Sequence, residues 1–181
     1  MTAKGMSETK APSGGPVNIL FLCARNSARS ILAEALLNRL GAGRFEAHSA
    51  GFEPAAAISP YALALLTRIN YNTQLLMPKG LDTVMSRWAP AYDFVIRLSP
   101  ESAQIKPFSL LCTKSRVVDW FFDDPTRLRS KAEIATAYED LFNQLANRLD
   151  ILSQVSPDFL RGGRAADYLE GLGEGNLRLA S

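Results

Sequence analysis

Two residues near the start of the chain have the types and spacing to act on an oxyanion. Cys23 and Arg29 have five residues between them, in the stretch Cys23-Ala24-Arg25-Asn26-Ser27-Ala28-Arg29-Ser30. The apolar run Val17–Leu22 precedes this stretch, and an amphipathic segment follows it. A thiol placed where a buried strand gives way to a helix lies where backbone N–H groups converge on an anion, a setting that favours the thiolate. The N–H groups from Ala24 to Ser30 can hydrogen-bond a tetrahedral oxyanion. Arg29 can hold two of its oxygens bidentately, which a lysine could not. Cys23 would then stand beneath the central atom for in-line attack, with the Ser30 hydroxyl donating to the sulfur. The Gly-Lys-Ser/Thr ending of a Walker loop is missing.

Attack by sulfur on a phosphoryl-type centre also needs a proton donor for the departing oxygen. Asp124 is the first choice, because the Pro125 that follows biases it toward extended backbone and the apolar segment before it reads as a strand. Asp123 competes for the role, and a plain turn is the alternative reading of Asp-Asp-Pro. The lone histidine, His48, reads as a packed or surface residue rather than a base for Cys23. The second cysteine, Cys112, has neither Cys-x-x-Cys nor Cys/His company, so structural zinc is excluded, no metal or cofactor is expected, and the thiol reads as buried and inert.

The elements that must position these groups follow from periodicity. Val17–Leu22 reads as a doubly buried strand, and Ile31, Leu32, Ala35, Leu36 and Leu40 mark one face of a helix that Gly41 and Gly43 stop. Arg44–Ser49 is a second strand, with Ser49-Ala50-Gly51 a tight turn after it. Ser59 caps a helix that has Pro60 at its first position. Gly80–Trp88 is a short helix, Tyr92–Leu98 a third strand, Glu101–Ile105 a single helical turn and Arg116–Trp120 a fourth strand. Ile134, Tyr138, Leu141, Leu145, Leu149 and Leu152 give a long helix over Lys131–Leu152. Strands alternating with helices predict an α/β, three-layer sandwich around a four-stranded parallel sheet.

The chain's 181 residues, 47% hydrophobic and 21% charged, suit one domain with a sizeable core. We expect a flexible polar arm over residues 1–16, the domain over 17–155, and a loose glycine-rich tail over 156–181. A net charge of +2 without a Lys/Arg run argues against nucleic-acid binding. No apolar stretch is long enough to span a membrane, and Met1–Pro16 lacks a signal-peptide core, so the cytoplasm is the expected compartment.

CARNSARS, ILAEALLNRLG, HSAG, YDFVIRL and WFFDDP, in that order, resemble the low-molecular-weight protein tyrosine phosphatase superfamily, which includes a branch of arsenate reductases. The resemblance covers about Val17–Ile151. It implies Cys23 as nucleophile, Arg29 as oxyanion clamp and Asp124 as general acid. It also implies that Asn26, Ser30 and Ser49 hold the loop in a strained shape, with Asn26 in the left-handed region. Two departures stand out. Arg25 replaces the family's glycine, and Thr126 stands where the phosphatases carry tyrosine after the acid and proline, so an aromatic wall would have to come from Phe52, Phe121 or Phe122. The wording of the loop-helix and SAG segments is closer to the reductases, yet Leu98-Ser99-Pro100-Glu101 lacks their resolving cysteines. The expected function is therefore phosphomonoester hydrolysis through a Cys23 thiophosphate, with a phosphotyrosine protein as one substrate. The alternative is arsenate reduction completed by an external thiol such as glutathione, mycothiol or glutaredoxin; a silent oxyanion-binding module comes last.

Overall fold

The computed structural model describes residues 14–104 and 115–175. Four parallel strands form one sheet in the order β2-β1-β3-β4: β1 Val17–Cys23, β2 Phe45–Gly51, β3 Phe94–Arg97 and β4 Arg116–Asp119. β1 pairs with β2 from Val17↔Phe45 to Cys23↔Gly51 and with β3 from Ile19↔Phe94 to Leu22↔Arg97. Among the described residues β4 pairs with β3 alone and forms an edge.

The helices are α1 Arg29–Leu40, α2 Pro60–Arg68, α3 Leu81–Val84, α4 Lys131–Gln154, α5 Pro157–Arg161 and α6 Ala165–Gly173. Side chains alternate across the sheet, which divides the core in two. Ile19, Phe21, Phe94, Ile96 and Val118 face a large layer containing α1, α2, α4, α5 and α6. Leu20, Leu22 and Val95 face a thinner layer built from Val84, Tyr92 and Leu81. The single apolar face expected for α1 understates its burial: every residue from Arg29 to Leu37 is buried, Glu34 included. α4 starts with a capping box, in which Ser130 Oγ accepts from Glu133 N (3.2 Å) and Glu133 Oε2 accepts from Ser130 N (3.1 Å). None of the described helices is long and apolar enough to cross a membrane.

Several sequence expectations need correction. Ser49-Ala50-Gly51 is no turn; it continues β2, because the register with Phe21–Cys23 runs to the last residue. Gly51 is needed for close approach, since a Cβ there would lie 2.7 Å from Asn26 N and 2.8 Å from Ala24 O. Ser59 does not cap α2 with its side chain. The short helix closes at Val84, so the expected run to Trp88 was too long, and β3 is trimmed to Phe94–Arg97.

The largest correction concerns the expected loose tail. Ser156 caps α5 through Phe159 N (3.2 Å), and Leu160, Ala165, Leu169 and Leu172 are at most 1% exposed. α5 has only five residues, and glycines at 162, 163, 171 and 173 disguise the nine-residue α6, although Leu169 and Leu172 are one turn apart. Their anchorage is on β4. The Trp120 indole N–H donates to Leu169 O (2.7 Å), and the Arg116 guanidinium donates to Leu160 O (2.5 Å) and Gly162 O (2.8 Å). Gly173 lies so close to the indole that a Cβ would overlap Trp120 Cδ1 and sit 2.8 Å from Asp119 O.

Candidate active site

Cys23 ends β1 and is 2% exposed. Its Sγ lies 3.0 Å from Ser30 Oγ and accepts from the Asn26 backbone N–H at 3.3 Å. Asn26 has φ 44°, the left-handed conformation that an Asn tolerates better than most residues. Its side-chain amide donates to Ser30 Oγ and to Ser49 Oγ, each at 2.8 Å. Because Ser30 Oγ already accepts from Asn26, its own proton is free for the Cys23 sulfur.

Two residues the sequence reading missed close this arrangement into a ring. Ser49 Oγ donates to Glu34 Oε2, and the Lys79 ammonium holds the Glu34 carboxylate at 2.9 and 3.0 Å. The Lys79 backbone N–H then donates to Asn26 Oδ1 at 2.6 Å. A lone carboxylate inside the apolar run Ile31–Leu37 was the available signal for Glu34, since a buried charge demands a partner. Nothing local in the sequence ties Lys79 to it across 45 residues.

Outside the ring, the loop's carbonyls are turned away from the thiol. Ala24 O accepts from Glu53 N (3.1 Å), Arg25 O from Ala55 N (2.9 Å) and Ser27 O from Ser59 N (2.8 Å). In a trans peptide the N–H opposes the carbonyl, so the amides of Arg25, Asn26 and Ala28 face inward. The Asn26 N–H on Cys23 Sγ is one of these.

The amides, the thiol and Arg29 enclose a cavity of about 110 Å³, whose other walls come from Arg25, Ser27, Asp124, Pro125, Thr126 and Tyr138. Asp124 therefore shares the cavity of Cys23. Exposed Asp123 borders an adjoining cavity of about 570 Å³ instead. Arg29, 7% exposed, donates to Phe122 O and to Asp124 Oδ2, both at 3.0 Å. Burial pushes the Asp124 carboxyl up, but donation from Thr126 Oγ1 (2.7 Å) and Thr126 N (2.9 Å), with the Arg29 and Arg127 charges, outweighs it. The net effect holds Asp124 below the usual carboxylate range.

Tyr138 is the aromatic wall that was sought elsewhere. Its hydroxyl is raised above the ordinary tyrosine value, chiefly by burial, and its ring stacks on Tyr61 with centroids 5.0 Å apart. Phe122 is buried beneath the Arg148 guanidinium (4.6 Å), Phe121 is exposed, and neither they nor Phe52 borders the small cavity. His48 lies beside Glu46 (3.5 Å) and the Tyr92 ring (5.6 Å), away from the thiol's cavity. Cys112 lies outside the described residues.

Comparison with known proteins gives this geometry a context. Residues 18–156 match the family model of the low molecular weight phosphotyrosine protein phosphatases. The glutaredoxin arsenate reductase of Synechocystis is 30% identical over 107 residues, covering 59% of this chain and 77% of that protein. Among solved structures, the arsenate reductase of Archaeoglobus fulgidus superposes with a TM-score of 0.59 at 25% identity, covering 76% of this chain and 99% of that one. The YwlE arginine phosphatase of Geobacillus stearothermophilus shares the fold with a TM-score of 0.61 at 22% identity, over 77% and 92% of the two chains.

Proposed function

The chain belongs to the low molecular weight phosphotyrosine protein phosphatase family, and from that premise we propose that it is an arsenate reductase completed by an external thiol. The observation that carries the reading is the convergence of Cys23, Arg29 and Asp124 on one 110 Å³ cavity rimmed by inward amides. That volume suits a single tetrahedral oxyanion. The choice of arsenate rests on the 30% identical glutaredoxin arsenate reductase and the 25% identical arsenate reductase structure.

In the resting site both Arg29 contacts are made to the protein, to Phe122 O and Asp124. An incoming oxyanion competes for the guanidinium. Once Arg29 turns to it, Asp124 loses a cationic neighbour and gains an anionic one, so its pKa rises and it becomes a proton donor. The Cys23 thiolate attacks arsenic, a S–As bond forms, an As–O bond breaks, and the oxygen leaves as water with the proton from Asp124. The chain has only two cysteines, and Ser99 follows β3, so regeneration calls on a low-molecular-weight thiol or glutaredoxin. Its thiolate attacks Cys23 Sγ; a S–S bond forms, the S–As bond breaks, and the electron pair reduces As(V) to As(III). A second thiolate releases Cys23 from the mixed disulfide. The balance is arsenate plus two thiols giving arsenite, one disulfide and water.

A second reading, phosphomonoester hydrolysis, is favoured by Tyr138 beside Asp124, which offers an aryl leaving group a wall. Water then replaces the external thiol, attacking a Cys23 thiophosphate with Asp124 as base. One experiment separates the two: arsenite production with glutathione and glutaredoxin, measured beside aryl-phosphate hydrolysis, on wild type and Cys23→Ser. The reductase reading expects arsenite formation that Cys23→Ser abolishes. Hydrolysis without any thiol-dependent arsenite would overturn it in favour of the phosphatase.

A further inference from the structure

The resting site poses an electrostatic problem. Arg29 is neutralised by Asp124 at 3.0 Å and spends its other contact on Phe122 O, while the Asp124 carboxylate itself borders the cavity an anion must enter. Glu101 pairs with Arg127 at 2.9 Å, so the next cation around the acid loop is also committed. An oxyanion approaching the cavity thus meets inward amides and a compensated ion pair.

Arg25 is the exception. It borders the same cavity, it is exposed, and no ion pair or side-chain hydrogen bond engages it among the described residues. Its backbone is fixed on two sides: Ala55 N donates to Arg25 O at 2.9 Å, and a Cβ at Gly51 would lie 2.9 Å from Arg25 C. With the main chain held between these segments, the side chain leaves from a set point on the rim. Exposed Glu53, whose backbone N–H donates to Ala24 O, is the nearest carboxylate in the facing segment.

We propose that the Arg25 guanidinium is the capture cation of this site, drawing a dianionic oxyanion to the rim and holding it until Arg29 leaves Asp124. The assignment rests on the oxyanion reading above but not on which oxyanion is turned over. Arg25 touches the substrate first and Arg29 holds it last, which divides attraction from clamping between two residues. A rim cation acts through a screened field, so its contribution falls as ionic strength rises.

The test uses inorganic phosphate and arsenate as probes, with the full chain and the variants Arg25→Gln and Arg25→Lys. Binding is measured by calorimetry across ionic strengths, and turnover by the assay to which wild type responds. We expect Arg25→Gln to bind both anions about 10-fold more weakly at low salt and within about 2-fold of wild type near 0.5 M, with the kinetic loss carried by KM. Arg25→Lys should recover most of the affinity. Equal binding by wild type and Arg25→Gln at low salt overturns the assignment. So does a loss of equal size at all salt concentrations, which marks a distorted loop instead. Wild type that binds neither anion overturns the oxyanion reading itself, an outcome distinct from both.

Discussion

The two halves of the site are held by opposite means. The Cys23 loop is fixed from within, by a ring in which Asn26, Ser49, Glu34 and Lys79 each satisfy the next, the last link running through the Lys79 backbone N–H. The acid's segment is fixed from outside. It leaves an edge strand of four residues, and the α5–α6 pair grips that strand at Arg116 and the residue just past its end, Trp120. Between Trp120 and Asp124 the segment is held by Phe122, whose N–H donates to Leu98 O at 3.1 Å and whose carbonyl accepts from Arg29. That closed ring sets Cys23, and hydrogen bonds from neighbouring elements, with the packing of α5 and α6, set the segment that carries Asp124. Binding the anion and protonating its departing oxygen should therefore fail separately.

The largest effect belongs to the nucleophile. Cys23→Ser should lower turnover by roughly 10⁴-fold or more while phosphate still binds, read by kinetics and calorimetry. Asn26→Ala comes next. It removes two side-chain donors and an acceptor from a buried ring and leaves a non-glycine residue at positive φ. We expect roughly 2–4 kcal/mol lost in denaturant unfolding, with phosphate affinity falling too. Glu34→Gln should cost roughly 1–3 kcal/mol, because the Lys79 ammonium then loses its partner in a mostly buried position (20% side-chain exposure).

On the acid side, Gly173→Val should destabilise by roughly 1–3 kcal/mol through overlap with Trp120 and slow turnover, with phosphate affinity retained. If anion binding falls in parallel with turnover there, the two halves are not independent. Asp124→Asn should reduce turnover about 10²-fold. Its effect on stability is the smallest and the most diagnostic. Since the folded pKa is depressed, Asp124 contributes stability that is present above its unfolded value and lost as pH falls through the folded one. Unfolding midpoints of wild type and Asp124→Asn should therefore converge only below the ordinary carboxylate range. Convergence at high pH instead would contradict the ion pair.

The same contrast explains what could be read from the chain. Cys23, Arg29 and the strand–loop–helix around them are consecutive, so type and spacing announce them, and the parallel sheet follows from alternating periods. Asp124 was legible through Pro125, although only packing separates it from Asp123. Glu34 and Lys79 were not legible as a pair, because a buried ion pair is a contact between distant segments. Tyr138 passed as one more apolar helix position, since its place on the cavity depends on how α4 is rotated against the loop. The C-terminal helices escaped because α5 is only five residues long and α6 is framed by glycines that read as loop, and their stability comes from docking on Trp120 rather than from propensity.

That docking gives the chain an order of completion. The polar ring around the Cys23 loop draws on no residue beyond Lys79, so its hydrogen-bonding partners are all present once that residue has been made. Trp120 waits for Leu169 and Gly173, near the opposite end of the sequence. During synthesis the Cys23 loop would thus have its ring partners long before the Asp124 segment has its brace. A chain cut short before Ala165 would keep every partner of the ring and lose those of the Trp120 indole.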